Sequence, residues 1–525
     1  MDSTALVGAE AAEAEAAEAR SATKRLKRAV VLIVATAFFV FTALGTVIIP
    51  ILPHVMTRRL GLPDLCVFPL FAAGPFVQLL LAPPLGKLVD KHGPFKPLLL
   101  AFSVLAACAG LFGGALAFVP DEPHDDAAPF PSRWAIYACL FVSRSLQGLS
   151  SATIISGGIA LVASTHPDEE RGGASGTAMS GLALGALSPL VGGYFAKAAG
   201  LGAPFYLLGG LVVVDALILS ALRPILPPGS IKRAADAAAS PPPSAAAAAS
   251  PARALWRDPS ALLVAAAIAT GNLASSLTEP LAPLWLGNGP LGYDSGLQGL
   301  IFGAATVSYF IMTPIAGGCA DKPARRVPQL MVGLCVNACG LCCLGLAPWA
   351  ATLADPNDRT QERGAAAGGG RGRGGCVGAA VEEEAVSSEV AVHSVPLIIA
   401  GLALIGFGLA LIDTPSLPLL SAMAEGYGEA GFGEAGAIET TAFAVGQTLG
   451  PLLSLPLVAA FDASARTPRW LSDGLAPSAF PAALIHLALV PALLLVKAPR
   501  HAEEFTATPL PAGSINSPTR VLEDA

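Results

Sequence analysis

Gly86-Lys87-Leu88-Val89-Asp90-Lys91-His92-Gly93 and, far along the chain, Gly317-Gly318-Cys319-Ala320-Asp321-Lys322 are two copies of one short motif. Each follows a long apolar run: roughly 66 to 85 before the first copy and 297 to 318 before the second. A glycine at the end of such a run lets two helices approach closely, and the aspartate can pair with a base or a helix N-terminus on a neighbour. Gly86, Asp90, Lys91, Gly317, Asp321 and Lys322 therefore read as a latch used twice, holding one conformer of a repeated architecture.

Outward from these copies, apolar runs recur at roughly 29 to 52, 97 to 119, 134 to 163, 174 to 197 and 204 to 222 in the first half. In the second half they lie at roughly 258 to 285, 328 to 350, 395 to 421, 435 to 460 and 476 to 496. A helix needs about 20 apolar residues to cross a bilayer core, so the pattern predicts an all-α chain with about twelve spans in two six-helix halves. Composition agrees: the 525 residues are 53% hydrophobic and 13% charged, with mean hydropathy +0.62, so the solvent is mostly lipid. The net charge of -7 and the lack of a basic block with interleaved aromatics give no reason to expect a nucleic-acid partner.

The basic cluster Arg20, Lys24, Arg25, Lys27 and Arg28 before the first run puts the amino terminus in the cytosol by the positive-inside rule. Both motif loops carry bases (Lys87, Lys91 and Lys96; Lys322, Arg325 and Arg326) and fall on that side as well. The expected organisation is a cytosolic disordered tail 1–28, a half 29–223, a cytosolic disordered linker 224–257, a half 258–497 and a cytosolic tail 498–525. A low-complexity insertion, 351–393, interrupts the second half. The Ala/Glu-rich start does not read as a cleavable targeting segment, and the chain has no Asn-x-Ser/Thr sequon. The cysteines read as small apolar fillers, the Cys339-x-x-Cys342 pair included, with no histidine at ligand spacing; neither a metal nor a cofactor is expected.

Two further motifs join the paired loops. Arg144-Ser145-Leu146-Gln147-Gly148 places a guanidinium inside the fourth run, tolerable only toward a polar cavity or a partner. Gly181 and Gly185, followed by Pro189, Gly192 and Gly193, occupy the fifth. Together these resemble the major facilitator superfamily; the last set is similar to the glycine-proline motif of its proton-coupled antiporters, with Ser188-Pro189 in place of Gly-Pro. Small-residue packing between helices is the other reading of these glycines. Thr46 to Pro53, Val77-Gln78-Leu79-Leu80, Arg144 to Gly185, Asn272, Glu279 to Trp285, Ser308-Tyr309 and Ile412-Asp413 narrow the resemblance to the vesicular amine transporters, which exchange monoamines or acetylcholine for protons.

What the resemblance implies is a secondary antiporter of small organic, possibly cationic, solutes and protons, acting as a monomer in the bilayer by alternating access. Asp413 becomes the first candidate for the proton site and Glu279 for the cavity carboxylate, with Trp285 a substrate contact or gate. Arg144 is a coupling or cavity-lining residue, and Asn272 and Tyr309 are cavity hydrogen-bonders. Asp215 and Glu439 are further intramembrane carboxylates, for which helix pairing is the competing reading; His486 reads as a packing residue.

The departures are as informative. The family's amine-binding aspartate aligns with Phe41, its second-span lysine with Gly74, and the aspartate that pairs with that lysine with Thr440, although Glu439 is adjacent. Joint loss of two buried partners is compatible with an intact fold, whereas loss of one would strand a charge. A drug-type exporter or an uncoupled facilitator therefore stays open, as does a transport-inactive receptor or scaffold on the same fold. No catalytic constellation is evident, and vesicle, vacuole and plasma membrane are all open.

Overall fold

A computed structural model describes residues 3–119, 130–166, 168–223, 255–288, 291–354, 376–425, 431–462 and 475–496, and these are helical apart from short turns. The spans run Ser3–Thr46, Val67–His92, Phe95–Ala117 and Phe130–Thr165, then a broken fifth of Asp168–Gly185 and Ser188–Ala199, then Ala203–Leu222. The second half runs Pro259–Asn288, Ser295–Ala320, Pro323–Ala354, Cys376–Glu425, Gly431–Asp462 and Leu475–Ala492. Among the described residues eleven helices are long and apolar enough to cross a membrane, and the bent pair in span five makes a twelfth. Side chains such as Leu100, Leu207, Leu217, Leu484 and Leu494 face outward, as a lipid-facing surface requires.

Two expectations need correction. The stretch read as a disordered amino-terminal tail is helical from Ser3 and continuous with span one. Alanine and glutamate are among the strongest helix formers, so the composition that denied it a core still favoured helix. Likewise the helix of span ten begins at Cys376, inside the segment read as an unstructured insertion. Residues 355–375, the linker from 224 to 254 and the tail from 497 lie outside the described residues.

Span five is bent by 50° between Gly185 and Ser188. Pro189 has no N–H to offer the Gly185 carbonyl, so the helical ladder breaks there. Span one takes up the slack: Thr46 Oγ1 stands 3.2 Å from the Gly185 carbonyl and shares a 2.8 Å hydrogen bond with Ser188 Oγ, which donates to the Ala43 carbonyl at 3.1 Å. A Cβ on Gly181 would lie 2.0 Å from the Ala35 carbonyl, on Gly185 2.5 Å from that of Phe39, and on Gly192 2.3 Å from Val47 Cγ2. These glycines fit spans one and five together, which is the packing reading of the motif.

The halves meet at one end. Span two packs on span eleven, and the second helix of span five packs on span eight. A Cβ on Gly193 would lie 2.2 Å from the Ser295 carbonyl, and one on Gly299 2.2 Å from that of Pro189. At the same end Arg58 Nη2 donates to the Gly287 carbonyl at 2.8 Å, and Lys197 Nζ to Asp294 Oδ2 at 2.6 Å. Asp294 also caps span eight by accepting from the Leu297 N–H. The Lys197 ammonium and these backbone donors hold the Asp294 carboxyl below the usual carboxylate range, so the pair persists as pH falls and is lost only below that lowered value. These named contacts lie at the end opposite Asp90 and Asp321, which terminate spans two and eight at their other ends.

Within the first half, Gly148 of span four rests on Gly74 of span two: its Cβ would lie 2.0 Å from the Gly74 carbonyl. Gly148→Ala should lower stability by about 1–3 kcal/mol through forced helix separation, seen as a lower melting temperature in detergent. Gly210→Ala, where a Cβ meets open space, should leave the melting temperature unchanged.

Candidate functional site

Four helices of the second half bring polar side chains to one place. Asp413, on span ten, is half-buried in an apolar helix. Its Oδ1 accepts from Asn272 Nδ2 of span seven at 3.4 Å, and its Oδ2 accepts from Tyr309 Oη of span eight at 3.4 Å. Glu439, on span eleven, lies within electrostatic reach of both Asp413 and Tyr309. Prolines make the local backbone irregular. Pro415 and Pro418 follow Asp413, and Thr414 and Ser416 hydroxyls turn back at 2.5 Å to the carbonyls of Ala410 and Ile412.

A second cluster spans the interface between halves. Arg144 is buried in span four, bonded to Gln147 one turn along, whose Nε2 donates to the Phe41 carbonyl of span one at 3.0 Å. A Cβ on Gly74 would lie 3.3 Å from Arg144 Nε, so the guanidinium fills the space beside the residue that aligns with the family's lysine. Across the interface, Glu279 of span seven lies within electrostatic reach of Arg144. Glu279 and Ser275, one turn apart, are half-buried between fully buried neighbours, so this stripe is the more open part of its stretch of span seven. Pro280 and Pro283 withdraw helical donors from the carbonyls of Ser276 and Glu279, adding acceptors to the same stripe.

Not every expected residue joins these clusters. Asp215 is buried in span six, which packs on spans three and one, and its Oδ2 has no hydrogen-bond partner among the described residues. Trp285 is 3% exposed, near the end where the halves meet, so it is a buried wall residue rather than one at an open mouth. His486 is buried and bonds the Ala482 carbonyl through Nδ1, as a packing residue does. In the second motif loop Asp321 is exposed and makes no side-chain ion pair among the described residues. It is Arg326 that ties this loop down, donating to the Ala320 carbonyl at 2.9 Å and to that of Pro418 on span ten at 3.1 Å. The side chains of Gly86, Asp90 and Lys91 lie outside the described part of their helix. Among the described residues no His, Cys, Asp and Glu group could hold a metal ion.

The comparisons agree with this architecture. Residues 9–355 match the family model described as Major Facilitator Superfamily. The chain belongs to the major facilitator superfamily. It resembles the synaptic vesicular amine transporter of Bos taurus, 31% identical over 292 residues, which are 55% of this chain and 49% of that protein. The vesicular acetylcholine transporter of Rattus norvegicus is 27% identical over 393 residues, 74% of this chain and 60% of that one. The chain thus spans about half the length of the amine transporters it matches. Among solved structures, a bacterial homologue of the human lysosomal transporter Spinster, inward-facing and unoccupied, aligns at TM-score 0.58 and 14% identity over 90% of this chain and 96% of that one. The nucleoside transporter NupG aligns at 0.54 and 12% over 90% and 98%. At such identity these two report the superfamily fold alone.

Arg144 and Glu279 should be coupled energetically. Arg144→Gln leaves a buried carboxylate uncompensated, so its loss of melting temperature in detergent should be larger alone than in combination with Glu279→Gln. A double-mutant cycle should return a coupling of about 0.5–3 kcal/mol, and additive losses would show that the two do not interact.

Proposed function

We propose that the chain is a secondary active transporter exchanging small organic cations for protons, working as a monomer by rocking of its two halves about the central clusters. The observation that carries this reading is Asp413: a carboxylate at membrane depth, half-buried, held by a donor from each of two other spans and bordered by a second carboxylate. An intramembrane carboxyl costs about 2.5–3.5 kcal/mol at the bilayer centre on insertion scales, which favours its retention where it cycles between protonated and cation-bound forms. Glu279 and Arg144, within electrostatic reach of each other across the halves, suit a role in coupling the bound state to the rocking. The relatives named for amines and acetylcholine support a cationic solute.

On this reading both termini, the linker and the two motif loops are cytosolic, because the bases cluster there. The conformation is then closed on the far side, where Lys197 and Asp294 meet. A second reading, an uncoupled facilitator or drug-type exporter, is favoured by Phe41 and Gly74 in the first half and Thr440 in the second, positions that are charged in the amine transporters and uncharged here.

Proteoliposomes carrying an imposed pH gradient, acid inside, should accumulate an organic cation above the level of protein-free liposomes, and Asp413→Asn should remove that excess. Uptake through the protein that ignores both the gradient and the substitution would leave the facilitator.

A further inference from the structure

At the motif-loop end, three bases on the outside of the first half each stand at the end of a row of residues that faces lipid. On span six the exposed row Val213, Leu217 and Ser220 runs at helical spacing and ends on Arg223, itself exposed. On span three Lys96 is exposed one turn before Leu100, which is 61% exposed. On span one Arg28 is exposed one turn before Leu32, which is 67% exposed, while Val34 and Phe38 on another face of that helix pack on span four. Each base adjoins the end of its apolar run, which is the depth of the lipid headgroups. The three helix ends also come together. Spans three and six run antiparallel in contact, and the Arg223 guanidinium lies over the Phe95 ring, 5.7 Å from its centre, with Lys96 next in the chain. Span six packs on span one as well, and Leu26 and Leu222 share one hydrophobic core. Because the helix of span one is continuous through Arg28, that base is held in place rather than carried on a loose tail. None of the three forms an ion pair among the described residues, and the acidic side chain nearest to them on these helices, Asp215, is buried about two turns below Arg223. The positive-inside rule asks for bases at this end but not on any particular face of a helix.

We propose that this outer corner, where spans one and three begin and span six ends, binds the headgroup of an anionic phospholipid, with Lys96 and Arg223 on its phosphate and Arg28 flanking it. The guanidinium supplies parallel N–H donors to phosphate oxygens and the ammonium a compact charge beside them. The acyl chains then lie along the apolar rows below, at Leu217, Leu100 and Leu32. A choline headgroup would bring its own cation against three bases, and a soluble anion has no chains to fill the rows. The site is on the lipid-facing surface, away from the central clusters, and does not depend on the transport reading.

Native mass spectrometry of the full chain, released from detergent in the presence of phosphatidylglycerol or of phosphatidylcholine with the same acyl chains, reads lipid retention directly. The wild type should hold phosphatidylglycerol at least about tenfold more tightly, since each base near a membrane surface is worth about fivefold. Lys96→Gln combined with Arg223→Gln should remove most of that preference, and Arg223→Lys should keep most of it. Lys96→Gln alone, which leaves the contact of Arg223 with Phe95 intact, should lower it about fivefold. Arg257→Gln, which removes an exposed base at the same end just before span seven, should leave it unchanged. Equal retention of the two lipids by the wild type overturns the site. So does a loss with Arg257→Gln as large as with the double substitution, which would mean diffuse attraction to every base at this end. Displacement of phosphatidylglycerol by inorganic phosphate at equal concentration would give the corner to a soluble anion and overturn the lipid.

Discussion

A charged side chain in a lipid bilayer has to face something other than lipid, and most of this structure follows from that. Arg144, Glu279, Asp413 and Glu439 sit in helices that are otherwise apolar, on spans four, seven, ten and eleven. Asp413 is held by Asn272 and Tyr309 from two other spans, Glu439 lies within electrostatic reach of Asp413, and Arg144 within that of Glu279 across the halves. Two bundles packed around a shared centre provide an inward direction while their outer faces stay apolar. The glycines then set how close the bundles' own helices come, and hence how tightly the charged centre is enclosed.

The two clusters divide the work. The cluster between the halves holds one charge of each sign and is tied to backbone through Gln147 and Phe41, an arrangement that fixes Arg144 in place. The second-half cluster is acidic, lined by prolines that loosen the helical ladder, and holds an acceptor with no donor. On the transport reading proposed above, a fixed charge at Arg144 and an exchangeable one at Asp413 would link what is bound to how the bundles sit. The contacts at the closed end are of a different kind: close backbone approaches at Gly193 and Gly299 and an exposed ion pair, Lys197 with Asp294. Exposed pairs are weak and salt-screened, which suits contacts that must be made and broken repeatedly.

Much of this was legible in the sequence, for reasons that are local. Apolar run length predicted the spans, because the bilayer imposes it residue by residue. The paired motif placed the two halves, and Asn272, Tyr309 and Asp413 were named as cavity residues through resemblance. Their convergence on one carboxylate was not legible, since it depends on three helices brought together by packing. The bend at Pro189 was foreshadowed by the proline, but its partner Thr46 lies on another span. Lys197 and Asp294 left no signal at all: an ion pair between distant surface positions has no periodicity or spacing. The amino-terminal helix left no apolar run to mark it, yet its alanine and glutamate suffice to favour helix.

The central claim is a water-accessible centre reached from the motif-loop end and closed at the Lys197 end. Ser275 tests it most directly, since it shares the open stripe of span seven with Glu279 and carries no charge. A Ser275→Cys variant lacking other reactive cysteines should be labelled by a small membrane-impermeant thiol reagent applied to the motif-loop side of sealed, oriented vesicles, and far more slowly from the other side. Equal labelling from both sides, or none from either, would contradict it.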